Sequence, residues 1–198
     1  MFVALDLPDR VRGELTAWQA RECTDPALRP LGPDQLHVTL CFLGWQPERK
    51  IERIAGLIEE SVPRAVGLRL AHEAKGLPPG RRPRLFVIEA EGQPTIELQA
   101  ELSDRLEAHG FYKPEKRPFW PHVTVARVRS ERVTGPGGRR RKGRPRLLSE
   151  RPGALPEPVE RPFDAVRLAL YRSNLRPQGA EYVSLATMDL PPTEAEKR

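Results

Sequence analysis

His37-Val38-Thr39-Leu40 and His122-Val123-Thr124-Val125 carry one pattern twice: a histidine, an apolar residue, a threonine and a second apolar residue. Each tetrapeptide sits in a run with strand character. In a strand, successive side chains point to opposite faces, so His37 and Thr39 share one face and Val38 and Leu40 the other. At about 3.3 Å per residue, the imidazole and the hydroxyl lie roughly 6–7 Å apart along that face. His122 and Thr124 repeat the geometry. The chain has four histidines. For any one of them, apolar-Thr-apolar follows by chance on the order of once in a hundred at average usage. Two full matches make coincidence a poor explanation. The simplest arrangement buries the apolar faces and turns both His/Thr faces into one cleft.

The rest of the chain supplies the frame for these two strands. Phe2–Leu7 is a short apolar strand, and Pro8 suits the first turn of a helix whose Val11, Leu15 and Trp18 recur on one face. A loop with Pro26, Pro30, Gly32 and Pro33 leads to the first motif strand, Leu36–Leu43, closed by Gly44. A second helix is predicted over Glu48–Val62, with Ile51, Ile54, Ala55, Ile58 and Val62 as its buried stripe. Strands follow at Val66–Ala74 and Arg84–Ala90, separated by a Pro- and Gly-rich turn over Gly76–Pro83. A third helix, Pro94–His109, presents Leu98, Leu102 and Leu106 and stops at Gly110. Pro121–Val128 is the second motif strand, and Phe163–Arg172 and Ala180–Met188 form a closing pair around Pro177 and Gly179. Strand, helix, motif strand occurs twice in this order. It predicts an α+β fold of two related lobes, each an antiparallel sheet with helices outside.

Length and composition bound the class. The 198 residues suit one domain or two intimate lobes: residues 1–190 as a single bilobal domain, with a basic insert over 129–162 and a frayed tail over 191–198. The insert holds Gly135-Pro136-Gly137-Gly138 and then Arg139-Arg140-Arg141-Lys142-Gly143-Arg144-Pro145-Arg146, too poor in apolar residues to bury itself. It is expected as a mobile loop, either simply solvated or holding RNA phosphates. No run reaches 18 apolar residues, and the N-terminus reads as a strand rather than a signal segment, so no membrane is involved. Cys23 and Cys41 are the only cysteines, which places the protein in a reducing cytoplasm. The net charge is +6, and 27 of the 33 basic residues are arginine, a balance compatible with a nucleic-acid substrate.

Two histidines and two threonines exclude more chemistry than they admit. No nucleophile-elbow pattern supports serine or cysteine catalysis, and no carboxylate pair lies on the motif strands for glycoside cleavage. No Gly-rich phosphate loop supports nucleoside triphosphate use. Zinc has histidine but lacks clustered carboxylates or cysteines to complete its shell. Phosphodiester cleavage fits: imidazole titrates near neutrality, so one ring can accept a proton while the other donates. The threonine hydroxyls can hold the non-bridging oxygens where charge develops. Neither metal nor cofactor is needed. A non-catalytic protein that binds RNA ends in the same cleft is the alternative, although binding alone requires no pair of proton-transfer groups.

The paired motifs resemble the two-histidine phosphoesterases. The segments FVALDLP (2–8), QLHVTLCFLG (35–44), KRPFWPHVTVAR (116–127) and LYRSNLRPQGAEYVSL (170–185) are similar to the RNA 2',3'-cyclic phosphodiesterases, also called 2'-5' RNA ligases. That resemblance implies a bilobal fold with pseudo-twofold symmetry and two antiparallel sheets lining a central cleft. It implies hydrolysis of a terminal 2',3'-cyclic phosphate on RNA, tRNA fragments included, to a 2'-phosphate, with reversible 2'-5' ligation as a companion reaction. On this chain His122 becomes the proton acceptor for water, His37 the proton donor to the 3' oxygen, and Thr39 and Thr124 the phosphate ligands. A monomer is the default state. Further candidates rank below these four. Arg127 lies five residues after His122, so strict alternation puts it on the opposite face unless the strand bulges. Trp120 is placed either at the cleft mouth, stacking on a base, or in rim packing. Phe42 falls on the Leu40 side, in the core, while Tyr171 and Arg172 are weaker candidates. Cys41 shares the parity of His37 but is expected as buried filler. His72 lacks a threonine partner, and His109 belongs to a helix end.

Overall fold

The computed structural model describes residues 1–61, 64–131, 133–134, 140–141, 143–156, 161–176 and 179–192. In chain order the elements are β1 (Phe2–Asp6), α1 (Asp9–Glu22), β2 (Leu28–Pro30), β3 (His37–Phe42), α2 (Ile51–Glu59), β4 (Gly67–Leu77), β5 (Leu85–Glu91), α3 (Gln93–Ala108), β6 (His122–Val128), β7 (Val133–Thr134), β8 (Arg140–Arg141), β9 (Phe163–Asp164), β10 (Arg167–Arg176) and β11 (Gly179–Asp189). Nine strands form one curled antiparallel sheet in the order β11-β10-β1-β3-β6-β5-β4-β9, with β2 on β6. The two expected sheets are its halves. They meet at a single residue pair, Val38 on β3 opposite Val123 on β6.

That pair fixes the symmetry. Val38 and Val123 occupy the same place in the two motifs, each directly after its histidine. Antiparallel pairing of equivalent residues generates a local twofold axis between them. Each motif strand then continues outward through matching neighbours, β1 and β10 on one side, β5 and β4 on the other. The units β1-α1-β3 and β5-α3-β6 repeat the strand-helix-motif strand order.

Helical periodicity places the apolar stripes on the sheet. Val11, Leu15 and Trp18 of α1, Ile54, Leu57 and Ile58 of α2, and Leu98, Leu102 and Leu106 of α3 enter one core with Val38, Leu40, Val123 and Val125. The helix α3 ends as its sequence indicates: Gly110 adopts a φ of 68°, and the Phe111 amide bonds back to the Leu106 carbonyl. Only glycine takes that left-handed conformation without steric cost. Helix α2 is shorter than expected. Its α-helical part begins at Ile51 after a 3-10 turn, Glu48–Lys50, and Val62 lies outside the described residues.

Three further differences concern segments expected as loops. Leu28–Pro30 forms β2, because Pro30 is tolerated at an edge strand, where an amide need not enter the ladder. The strand β4 runs on to Leu77, so the turn before β5 is shorter than the Gly76–Pro83 expected. Part of the insert also packs instead of floating. Asp25 accepts amide hydrogens from Ser149 and Glu150, Trp18 donates its indole N–H to the Ala154 carbonyl at 3.1 Å, and Leu155 is buried. Leu155 supplies the apolar anchor that the basic run lacks. Residues 135–139 and 142 of the Gly- and Arg-rich stretch lie outside the described residues, as do Pro177 and 193–198.

Both motif strands are interrupted at the same place. The register shifts between Val3 and Ala4 opposite β3, leaving Leu40 unpaired with β1, and between Phe86 and Val87 opposite β6, leaving Val125 unpaired with β5. These are β-bulges, and each reverses the facing of the residues beyond it. The bulge in β6 is held from behind. Buried Gln19 of α1 donates its amide N–H to the Val125 carbonyl at 2.7 Å and to the Leu31 carbonyl at 3.1 Å, while the Leu31 amide also reaches Val125. Gln19→Leu removes these donors and leaves the Leu31 carbonyl buried without its partner. It should lower unfolding stability by about 1–3 kcal/mol in a urea titration. Unchanged stability would show that Gln19 does not hold the bulge.

Candidate active site

The motif geometry follows from the central pair. Continuing the Val38–Val123 register sets His37 across from Thr124 and Thr39 across from His122. All four residues line one cavity of about 570 Å³. The apolar members of the same motifs, Val38, Leu40, Val123 and Val125, are buried on the other side. The alternation thus divides core from cleft as expected.

Each histidine is held by the backbone two residues before it. The His122 Nδ1–H donates to the Trp120 carbonyl at 2.8 Å. This fixes the ring and leaves Nε2 free of its proton when the imidazole is neutral. His37 hydrogen-bonds to the Gln35 backbone in the equivalent way, and its Nε2 lies 3.1 Å from the Thr39 hydroxyl.

Each histidine also faces a carboxylate on the neighbouring outer strand. Asp6 pairs with His37 across β1 and β3, and Glu89 pairs with His122 across β5 and β6. Asp6 is buried and accepts hydrogen bonds from Arg167 Nε at 2.6 Å and from the Tyr171 hydroxyl at 2.8 Å. Glu89 is held by Lys75 Nζ at 2.7 Å and by the Trp120 side chain, and these contacts lower its pKa. Sequence reading missed both acids. Their signal lies in strand pairing, where a carboxylate of a mainly apolar strand meets a motif histidine.

The aromatic surroundings of the two rings differ. His37 stacks on Phe2 at 5.1 Å between centroids and meets the edge of Tyr182 at 5.2 Å, with Tyr171 at 6.3 Å. Burial among these groups pushes its pKa down to about 4; the Asp6 charge and the Gln35 backbone oppose that fall, and His122 adds to it. Among the described residues His122 has one such neighbour, Trp120, stacked at 5.1 Å.

The lower-ranked candidates separate clearly. Arg127 lines the cavity, because the bulge at Val125 turns it onto the His122 face. Phe42 does so too: it is 66% exposed, and the equivalent bulge at Leu40 moves it from its expected place in the core to the cleft. Phe42 and Arg127 are therefore twofold equivalents, each five residues after its histidine. Cys41 is buried. Trp120 does not line this cavity. Its ring lies between His122 and Lys75, whose Nζ is 5.7 Å from the centroid, beside an adjoining pocket with Tyr112 and Phe119. Tyr171 is likewise withdrawn, with its hydroxyl on Asp6, and Arg172 pairs with Glu48 at 3.0 Å. His109 caps α3 through the Arg105 carbonyl. Cavity residues that the sequence did not reveal include Arg29, Gln35, Ser173 and Tyr182. Arg29 stood in an expected loop, and Ser173 and Tyr182 come from the closing hairpin, whose position depends on tertiary pairing.

Among the described residues, no three His, Cys, Asp or Glu side chains are grouped to hold a metal ion, and no helix is long and apolar enough to cross a membrane.

The depressed His37 pKa links folding to pH. An unfolded histidine titrates near 6.5, so between about 6.5 and 4 the unfolded chain binds a proton that the folded chain refuses. Stability should therefore fall as pH drops through that window, and His37→Gln should flatten this part of the profile. Equal pH slopes for both proteins in denaturant titrations would contradict the assignment.

Residues 7–174 match the family described as the 2'-5' RNA ligase superfamily. An RNA 2',3'-cyclic phosphodiesterase of Escherichia coli is 32% identical over 141 residues, 69% of this chain and 76% of that protein. The protein of the same name from Thermus thermophilus is 29% identical over 196 residues, covering 96% of this chain and 89% of that protein. A crystal structure from Thermus thermophilus superposes with a TM-score of 0.74 at 25% identity, covering 95% of this chain and 96% of the other.

Proposed function

The chain belongs to the 2'-5' RNA ligase superfamily, and on that premise we propose that it hydrolyses RNA 2',3'-cyclic phosphate ends to 2'-phosphates by metal-independent acid–base catalysis. One observation carries the reading: a single twofold pair, Val38–Val123, puts two imidazoles and two hydroxyls into one cavity. The two relatives above are named for the same activity.

His122 is the proton acceptor. With Nδ1–H committed to the Trp120 carbonyl, its Nε2 takes a proton from water, and the water oxygen attacks phosphorus. The phosphorus–O3' bond breaks as the P–O bond to water forms. His37 gives its proton to the departing 3' oxygen, and the phosphate remains on O2'. In the free site His37 is neutral at neutral pH. A bound phosphodiester anion favours the charged ring, so His37 takes up its proton with the substrate. The Asp6 charge helps to hold that proton. Thr39, Thr124 and Arg127 bind the non-bridging oxygens and stabilise the charge that grows on them. The exposed Phe42 ring offers a stacking face for the terminal base. With a 5'-hydroxyl in place of water, the same groups in the same roles join it to the cyclic phosphate as a 2'-5' linkage, and cleavage of that linkage back to the cyclic phosphate exchanges acid and base.

One chain supplies every group, so a monomer suffices. Both cysteines are free thiols, in keeping with a cytoplasmic enzyme whose substrates include tRNA fragments.

The test is product analysis on a short RNA ending in 2',3'-cyclic phosphate, with EDTA present. Wild type should yield the 2'-phosphate with a bell-shaped pH dependence of kcat. His37→Ala and His122→Ala should each lose about 10²–10⁴-fold in kcat. Turnover that needs added metal, or a profile flat across neutrality, would refute the paired-imidazole mechanism. Tight binding of the RNA end without turnover would leave only an RNA-end binding protein.

A further inference from the structure

Beyond the bulge, β6 carries basic residues out of the cleft. A groove of about 410 Å³ is lined by Arg29, Arg84, Arg127 and Arg129 with Ser130 and Pro145. It shares Arg29 and Arg127 with the catalytic cavity, so the two spaces adjoin. Arg29 and Arg127 are directly paired across β2 and β6, and Arg129 follows two residues later, about 7 Å along the chain.

The groove has the charge balance of a binding site. No carboxylate lines it among the described residues. Among those residues Arg84, Arg127 and Arg129 form no ion pair, whereas the nearby Arg82 is neutralised by Glu131 at 3.2 Å. Clustered guanidinium groups repel one another, and folding gains nothing from leaving them unpaired. Their forked donors match a phosphate. The supporting backbone is fixed: the Val128 amide donates to the Arg84 carbonyl, the Arg129 amide to the Ala27 carbonyl, and the Arg146 amide to the Arg129 carbonyl.

The chemistry of the substrate says what such a groove would hold. A 2',3'-cyclic phosphate terminates its RNA strand, so from the reacting phosphorus the chain continues only toward the 5' end. The next anion along it is the phosphodiester that joins the terminal nucleotide to its neighbour. We infer that the arginine groove is a subsite for this upstream phosphodiester, with Arg84 and Arg129 as its own ligands, and that it makes the enzyme selective for RNA chains over nucleoside 2',3'-cyclic monophosphates. The inference rests on the cyclic phosphodiesterase activity proposed above.

The experiment compares kcat/KM for a nucleoside 2',3'-cyclic monophosphate with that for a trinucleotide ending in the same group. Wild type should favour the trinucleotide. The double variant Arg84→Ala/Arg129→Ala should lose about a hundredfold on the trinucleotide, on the order of tenfold per charge-assisted hydrogen-bonded pair, and leave the monophosphate rate unchanged. Its slope of log kcat/KM against log salt should shrink by about 0.7, the value for the one phosphate contact removed. A trinucleotide with an uncharged methylphosphonate at the upstream linkage should react like the monophosphate. Equal wild-type rates on both substrates, an equal loss on both in the double variant, or full activity with the methylphosphonate would overturn the subsite. If neither substrate is turned over, the proposed activity fails separately. Fluorescence anisotropy with a 3'-phosphorylated trinucleotide then decides: weaker binding by the double variant supports the groove, and equal binding overturns it.

Discussion

The single backbone pair between Val38 and Val123 governs this molecule. Two half-sheets that otherwise share no rung are joined there, between equivalent residues of a repeated motif. Antiparallel geometry turns the repetition into a twofold axis. Alternation then sends both valines into the core and the flanking histidines and threonines into the cleft. A one-residue slip would move all four polar side chains to the buried side and expose the valines. The burial of Val38 and Val123 thus protects the chemistry as well as the core.

Symmetry brings the two histidines together, and departures from symmetry distinguish them. Each ring is tied to the backbone two residues upstream, and each faces a carboxylate on the next strand. The equivalences stop at the aromatic shell. His37 is enclosed by Phe2, Tyr171 and Tyr182, whereas among the described residues His122 stacks on Trp120 alone. Two like groups in unlike surroundings are a common route to one acid and one base within a single site. The positions five residues beyond the histidines diverge as well, Phe42 on one side and Arg127 on the other.

Much of the fold was legible because its signals are local. Apolar spacing at 3.6 residues marked the helices, the apolar stretches marked the main strands, and Gly110 marked the end of α3 as its φ of 68° requires. The misplacements of Phe42 and Arg127 share one physical cause. A bulge adds a residue to a strand without altering its composition, so strict alternation assigned Phe42 to the core and left Arg127 on the wrong face. The bulge at Val125 is stabilised by Gln19, more than a hundred residues earlier, through a bond that no local pattern encodes. Packing of Leu155 was hidden in the same way, because a single apolar anchor beside a basic run looks like loop sequence.

Residue types at short spacing are enough to reveal the family, the paired His-x-Thr strands and the α+β order of elements. Which side chains share the cleft is settled only when the sheet assembles. The opposition of Asp6 to His37 and Glu89 to His122, the withdrawal of Tyr171 onto Asp6, and the arginine groove assembled from β2, β6 and the approach to β5 all depend on register between strands distant in the chain. Register is set by the burial of whole faces and by where bulges interrupt them, a balance summed over the packed sheet rather than carried by any one segment.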